Sequence, residues 1–287
     1  PVGLDQRIGR EHAVDVFRAQ AGVSVTVLLE GGPVGGLADQ ERWACQQLHA
    51  TGRGLCFAMV NSTTLHIRHR YPYVHSKMML VDGELLVVGS QNFVHSDLPA
   101  DNKANGTGGS RGVVLATDAP AIVARAAEIF AADCDPANHA DISRWTPGNI
   151  FGFGPPPAGF TPSTGTDWLS YTVQFPQPLA SAGSDLTLLS APESALCTSD
   201  ALLGLLARAG AGDAVYVEQM LEPPDWGDPV SAPNLRLEAY LAAARRGARV
   251  RILLNGGDFA TPGFSVAENV ATIGRVEAIA QAEGLDL

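Results

Sequence analysis

The stretch HSKMMLVDGELLVVGSQN (residues 75–92) reads as two short apolar strands joined by Asp82-Gly83. Asp-Gly is the favoured loop of a tight hairpin, because both residues tolerate positive φ. A two-residue loop pairs Val81 with Glu84, and counting back along both arms sets His75 opposite Ser90. Side chains alternate along a strand, so His75, Lys77, Ser90 and Asn92 are expected on one face. That face carries an imidazole, a cation, a hydroxyl and an amide: a nucleophile or base beside groups able to hold phosphate oxygens.

The same residues fall at the fixed spacing H-x-K-x4-D-x6-G-S-x-N, as His75, Lys77, Asp82, Gly89, Ser90 and Asn92. Six residues at set positions match by accident on the order of once in 10^8 starting points at ordinary residue frequencies. The run resembles, without a gap, the HKD signature of the phospholipase D superfamily. The resemblance implies an α/β protein with the phospholipase D/nuclease fold: mixed sheets flanked by helices, in two units related by a pseudo-two-fold axis. It implies a phosphodiesterase that hydrolyses or transfers phosphatidyl groups of phospholipids through a phosphohistidine, with no cofactor and no metal. Carried over by position, His75 is the nucleophile, or the acid paired with a second histidine. Lys77 and Asn92 hold the non-bridging phosphate oxygens and Ser90 assists. Asp82 belongs to the catalytic set by resemblance, although a hairpin turn alone explains an aspartate there, and Gly89 serves backbone geometry. The chemistry is consistent with those roles. Charge builds on equatorial oxygens during displacement at phosphorus, and preorganised donors stabilise it. Imidazole titrates near neutrality and can either attack or protonate.

One departure is visible. Many members carry a carboxylate some 28–35 residues beyond the motif histidine, where it orients the ring. Here the corresponding stretch up to Arg111 contains neither Asp nor Glu. Asp97 or Asp101 in the following loop, Asp118, or an acid of the second unit such as Glu218 are the candidates for that contact.

The 287 residues, 46% hydrophobic and 17% charged, suit a packed chain of two domains. A net charge of −11 provides no general attraction to nucleic acid, which weighs against a non-specific nuclease. A DNA or RNA phosphodiesterase using the same site is the alternative enzyme, and a phosphate-binding chain without turnover is the alternative from another class. Arg68 and Arg70 in HIRHRY (66–71) read as one face of a strand just upstream of His75. Cys45, Cys56, Cys134 and Cys197 show no metal-ligand spacing, and the first two read as buried small hydrophobes. No run approaches the roughly 18 apolar residues of a membrane span, and no signal peptide is read in a chain that starts at Pro1.

FRAQAGVSVTVLLEGG (17–32) and AAARRGARVRILLNGG (242–257) are identical at seven of sixteen positions at a constant offset of 225. Each reads as a helix end, a glycine stop and an apolar strand closing on Gly-Gly, which predicts a duplicated unit. The expected organisation is a first unit over 1–133 with the motif, a Pro/Gly-rich linker over 134–190, and the first half of a second unit over 191–287. Trp145, Phe151, Phe153, Phe160 and Trp168 of the linker are candidates for lining a groove. The repeat places a second half-site beyond Leu287. None of the other six histidines stands in an H-x-K context, so the 287 residues alone are expected to be nearly inactive.

Overall fold

The computed structural model describes residues 19–31, 36–93, 111–162, 175, 177–197, 199–227, 232–256 and 266–287. The chain divides into two compact units, Pro1–Leu188 and Leu189–Leu287. Among the described residues it is mixed α/β, with three small sheets and five helices.

The first unit opens with β1 (Val25–Glu30), α1 (Asp39–Ala50) and β2 (Gly54–Met59). The two strands pair in parallel, Val25 with Gly54 through Glu30 with Met59. A parallel pair needs a crossover, and α1 supplies it. Gly31 ends β1 where the backbone passes close to its neighbour: a Cβ there would lie 2.9 Å from the Met59 carbonyl oxygen. Cys45 of α1 and Cys56 of β2 are buried, as expected, and are joined by a disulfide that ties the helix to the strand. The antiparallel third strand is β6 (Ile142–Arg144), which pairs with Phe57–Met59 of β2.

That strand corrects the expected linker. Residues 142–153 are part of the first unit, and its core includes Trp145 and Phe153, packed with Leu37, Cys45, Cys56, Ala58 and Val60. Burying such a side chain stabilises by about 1.5–3 kcal/mol, so these aromatics hold the fold and do not line an open groove. Trp168 lies outside the described residues.

The second sheet is the motif hairpin, β3 (Met78–Val81) and β4 (Leu85–Gly89), extended by β5 (Val114–Thr117). Its inner face packs on α2 (Pro120–Asp133), where Leu86 meets Val123 and Ala126 with Met78, Leu80 and Ile122 alongside. Proline at the first turn of α2 costs no hydrogen bond, because that N–H has no partner in a helix.

The second unit holds α3 (Leu202–Arg208), β7 (Ala214–Gln219), α4 (Leu235–Arg245), β8 (Arg249–Leu254) and α5 (Val266–Glu283). Strands β7 and β8 are parallel, joined across α4. Asn234 caps α4, its side-chain oxygen accepting from the Arg236 and Leu237 amides at 3.1 and 3.2 Å. The residue before α3 is Ala201, which makes no side-chain cap hydrogen bond.

The repeated segments share local geometry. Gly22 and Gly247 have φ of 100° and 92°. Each donates its N–H to the carbonyl three residues earlier, Ala19 at 3.1 Å and Ala244 at 2.9 Å. Each leads into a parallel strand.

Candidate active site

The hairpin turn forms where Asp-Gly predicts it. Asp82 and Gly83 have φ of 53° and 71°, and the Glu84 amide donates to the Val81 carbonyl at 3.0 Å. The register beyond the turn differs from the expected one. Val81 pairs with Leu85 and Met78 with Val88, so Glu84 is a third loop residue. The Gly89 amide donates to the Lys77 carbonyl at 3.0 Å, which carries the same register to Lys77 and Gly89. Continued past Lys77, that register would set His75 across from Gln91, not Ser90.

A slip of one residue exchanges the two faces of a strand. The ladder puts Met79, Val81, Leu85 and Val87 on one face and Met78, Leu80, Leu86 and Val88 on the other. Lys77, paired with Gly89, follows the first set, whereas His75 lies before β3 and Ser90 and Asn92 lie beyond β4. The expectation of four side chains on one face by alternation is thus corrected. What the hairpin brings together is its open end, with His75 and Lys77 on one arm and Ser90 and Asn92 on the other. Strand β4 ends at Gly89, so the pleat does not set the directions of the last two.

Local bonds define these residues further. Lys77 Nζ donates to the His75 carbonyl at 2.8 Å, folding the cation back along its own arm. Ser90 is bound to the residue before β5: its amide donates to the Val113 carbonyl at 3.1 Å, and its Oγ accepts from the Val113 amide at 3.0 Å. Gln91 is buried between Ser90 and Asn92, and a side chain at Gly112 would collide with it. Partial burial of the His75 ring, and then the Lys77 ammonium, hold its pKa below the ordinary imidazole value. The lowered value favours the neutral ring, the form able to attack. Asp82 lies at the closed end of the hairpin, away from His75, where its positive φ is what the turn requires.

The segment leading into His75 shows a second correction. Residues 68–77 form no strand or helix, so Arg68 and Arg70 do not share a strand face. Arg70 is a structural anchor. Its amide donates to Asp141 Oδ2 at 2.8 Å, and its Nε meets both Asp141 oxygens at 3.1 Å. Its guanidinium also reaches the carbonyls of Ala132 and Asp133 at the end of α2, at 3.1 and 2.8 Å. Asp141 is only 2% exposed. Four residues on, the Val74 amide donates to Glu30 Oε2 at 2.6 Å.

Glu30 and Asp141 are absent from the carboxylates named from sequence. Among those, Asp97 and Asp101 lie outside the described residues, and Asp118 follows the exposed edge strand β5. Glu30 carried one sequence signal: it is the single charge ending an apolar strand before Gly-Gly, at the carboxyl end of a parallel pair, where α/β sheets place ligands. Among the described residues no helix is long and apolar enough to cross a membrane. Neither a protein-family model nor a curated protein matches the chain, so the likeness to the phospholipase D superfamily stands on the spacing of the six motif residues.

Proposed function

We propose that this chain carries a half-site of a phospholipase D-type phosphodiesterase, which hydrolyses or transfers phosphatidyl groups through a phosphohistidine. The observation that carries the reading is the motif on its hairpin. All six residues lie at the superfamily's spacing, and the Asp82-Gly83 turn brings His75 and Lys77 to the same end as Ser90 and Asn92.

In this reading the neutral His75 ring attacks phosphorus. A nitrogen–phosphorus bond forms as the bond to the leaving oxygen breaks, and that oxygen takes a proton from a second histidine, the general acid of a partner half-site. Water or an alcohol then attacks the phosphohistidine, giving hydrolysis or transfer, and the second histidine takes the incoming proton. Lys77, turning from the His75 carbonyl, offsets charge on the equatorial oxygens, with Asn92 and the Ser90 hydroxyl as further donors. The pseudo-two-fold arrangement of two such units belongs to the same proposal.

The test is to trap the intermediate. The protein, with and without a preparation supplying a second half-site, is incubated with a short-chain phosphatidylcholine, quenched in base and digested. A phosphorylated peptide containing His75, lost in His75→Asn and unaffected by chelator, supports the proposal. Turnover of single-stranded DNA without lipid turnover replaces the lipid by a nucleic-acid phosphodiester. Turnover abolished by chelation removes the phosphohistidine mechanism.

A further inference from the structure

His75 precedes the first regular pair of the hairpin and follows an irregular segment, so β3 and β4 alone do not determine where its ring is presented. The segment Arg70–Val74 is instead fastened to the first sheet and α2 at two points. At one end Asp141 takes both the backbone amide and the guanidinium of Arg70, and Tyr71 Oη donates to Asp133 Oδ1 at 3.1 Å. At the other end Glu30 takes the Val74 amide, the residue immediately before His75, at 2.6 Å. Between these points Tyr71 and Val74 pack on Phe57, Met59 and Ile142. Val74 is half-buried against that core, and the next residue, His75, is exposed.

The bond from Glu30 differs from an ordinary backbone contact. A carboxylate accepting an amide is charge-assisted, shorter and roughly twice as strong as a neutral pair. It also links β1, at the carboxyl end of the parallel pair, to a point one residue from the proposed nucleophile. We propose that Glu30 is a positioning residue for His75: by holding the Val74 amide it fixes the strap from which the imidazole is presented. The inference rests on the phosphodiesterase reading for the reaction that His75 performs, but not for the contact itself.

The test uses Glu30→Ala and Glu30→Gln in the full chain, with three readouts: amide hydrogen exchange at Val74, NMR titration of the His75 ring, and turnover of the lipid analogue with a second half-site supplied. For Glu30→Ala the expected result is exchange at Val74 faster by at least about tenfold, with the amides of β2 unchanged. The His75 titration moves up toward an ordinary imidazole as the ring shifts away from the Lys77 ammonium. Turnover falls by about 10–100-fold in kcat with KM nearly constant, the effect of a misplaced group and not of lost binding. Glu30→Gln keeps the length and an acceptor oxygen, so its exchange and titration are expected between the two. Unchanged exchange at Val74 in both variants overturns the proposal, as does faster exchange with His75 titration unchanged. Failure of His75→Asn to alter turnover of the unaltered protein overturns the phosphodiesterase reading instead, and exchange and titration then decide Glu30 without it.

Discussion

Asp82 is where two roles can be separated by substitution. By resemblance it belongs with the catalytic residues; by structure it occupies the left-handed region, at φ 53°, at the far end of the hairpin from His75. An L-residue costs about 1–2 kcal/mol in that region, with Asn and Asp least penalised because their short polar side chains bond locally. Asp82→Asn removes the charge and keeps the conformational tolerance, so the expected stability change is within about 0.5 kcal/mol. Asp82→Val adds a β-branched side chain to the same φ and is expected to cost at least about 1–2 kcal/mol. Gly83→Ala supplies the control. Its φ is 71° and a Cβ there meets nothing within 4 Å, so any loss, expected near 1 kcal/mol, is conformational and not steric. Urea unfolding gives the stabilities, and turnover of the lipid analogue gives the chemistry. Asp82→Asn should keep turnover within about threefold, since the change lies near the noise of a surface substitution. A drop of about 100-fold in Asp82→Asn, the size of a lost general acid or base, would return Asp82 to the chemistry and refute the turn argument.

Lys77→Met removes the cation beside His75, which favours the imidazolium; the His75 pKa should rise and the acid limb of the pH–rate profile should move to higher pH, and a limb that stays put or moves down contradicts the assignment. In the parent protein the same lowered pKa means the unfolded chain binds a proton more readily, so stability should fall as pH drops through the ordinary imidazole value toward that of His75, and chemical denaturation across that range measures it. Burial, then Asp133 and Asp135, push the Cys134 thiol up to about 11, whereas the Ser199 hydroxyl and the Ser199 and Asp200 amides lower Cys197; alkylation at pH 8 followed by peptide mapping should label Cys197 well before Cys134. Glu222, 0% exposed, accepts from Asn234 Nδ2 at 2.5 Å and Arg236 at 3.0 Å, so Glu222→Ala should cost the second unit about 3–5 kcal/mol, read as an earlier urea transition in far-ultraviolet circular dichroism.

The sequence made local features legible to the extent that local physics decides them. The Asp82-Gly83 turn, the glycine stops at Gly22 and Gly247, and the apolar strands after them all follow from residues within a few positions. The register did not, because Asp-Gly specifies a tight turn without specifying whether Glu84 joins the ladder or the loop, and one residue decides which face follows. The third strand of the first sheet was hidden for another reason. Ile142–Arg144 is three residues long, beside a Pro/Gly-rich stretch, and is a strand only because β2 offers it an edge.

The contacts that fix the candidate site are of this second kind. Arg70 meets Asp141 across 71 positions and Val74 meets Glu30 across 44, distances over which no periodicity or spacing links the partners. A motif of six residues can specify which groups meet a phosphate. It cannot specify the placement of the first of them when that residue precedes the strand, as His75 does. An imidazole misplaced by about 1 Å can lose about 100-fold in rate, so the strap and its two carboxylates are as much a condition of the proposed chemistry as the histidine. A chain with the same motif and neither carboxylate would present an identical signature from a looser segment. Spacing alone would rank the two chains equally, and the Glu30 substitutions are what tell them apart.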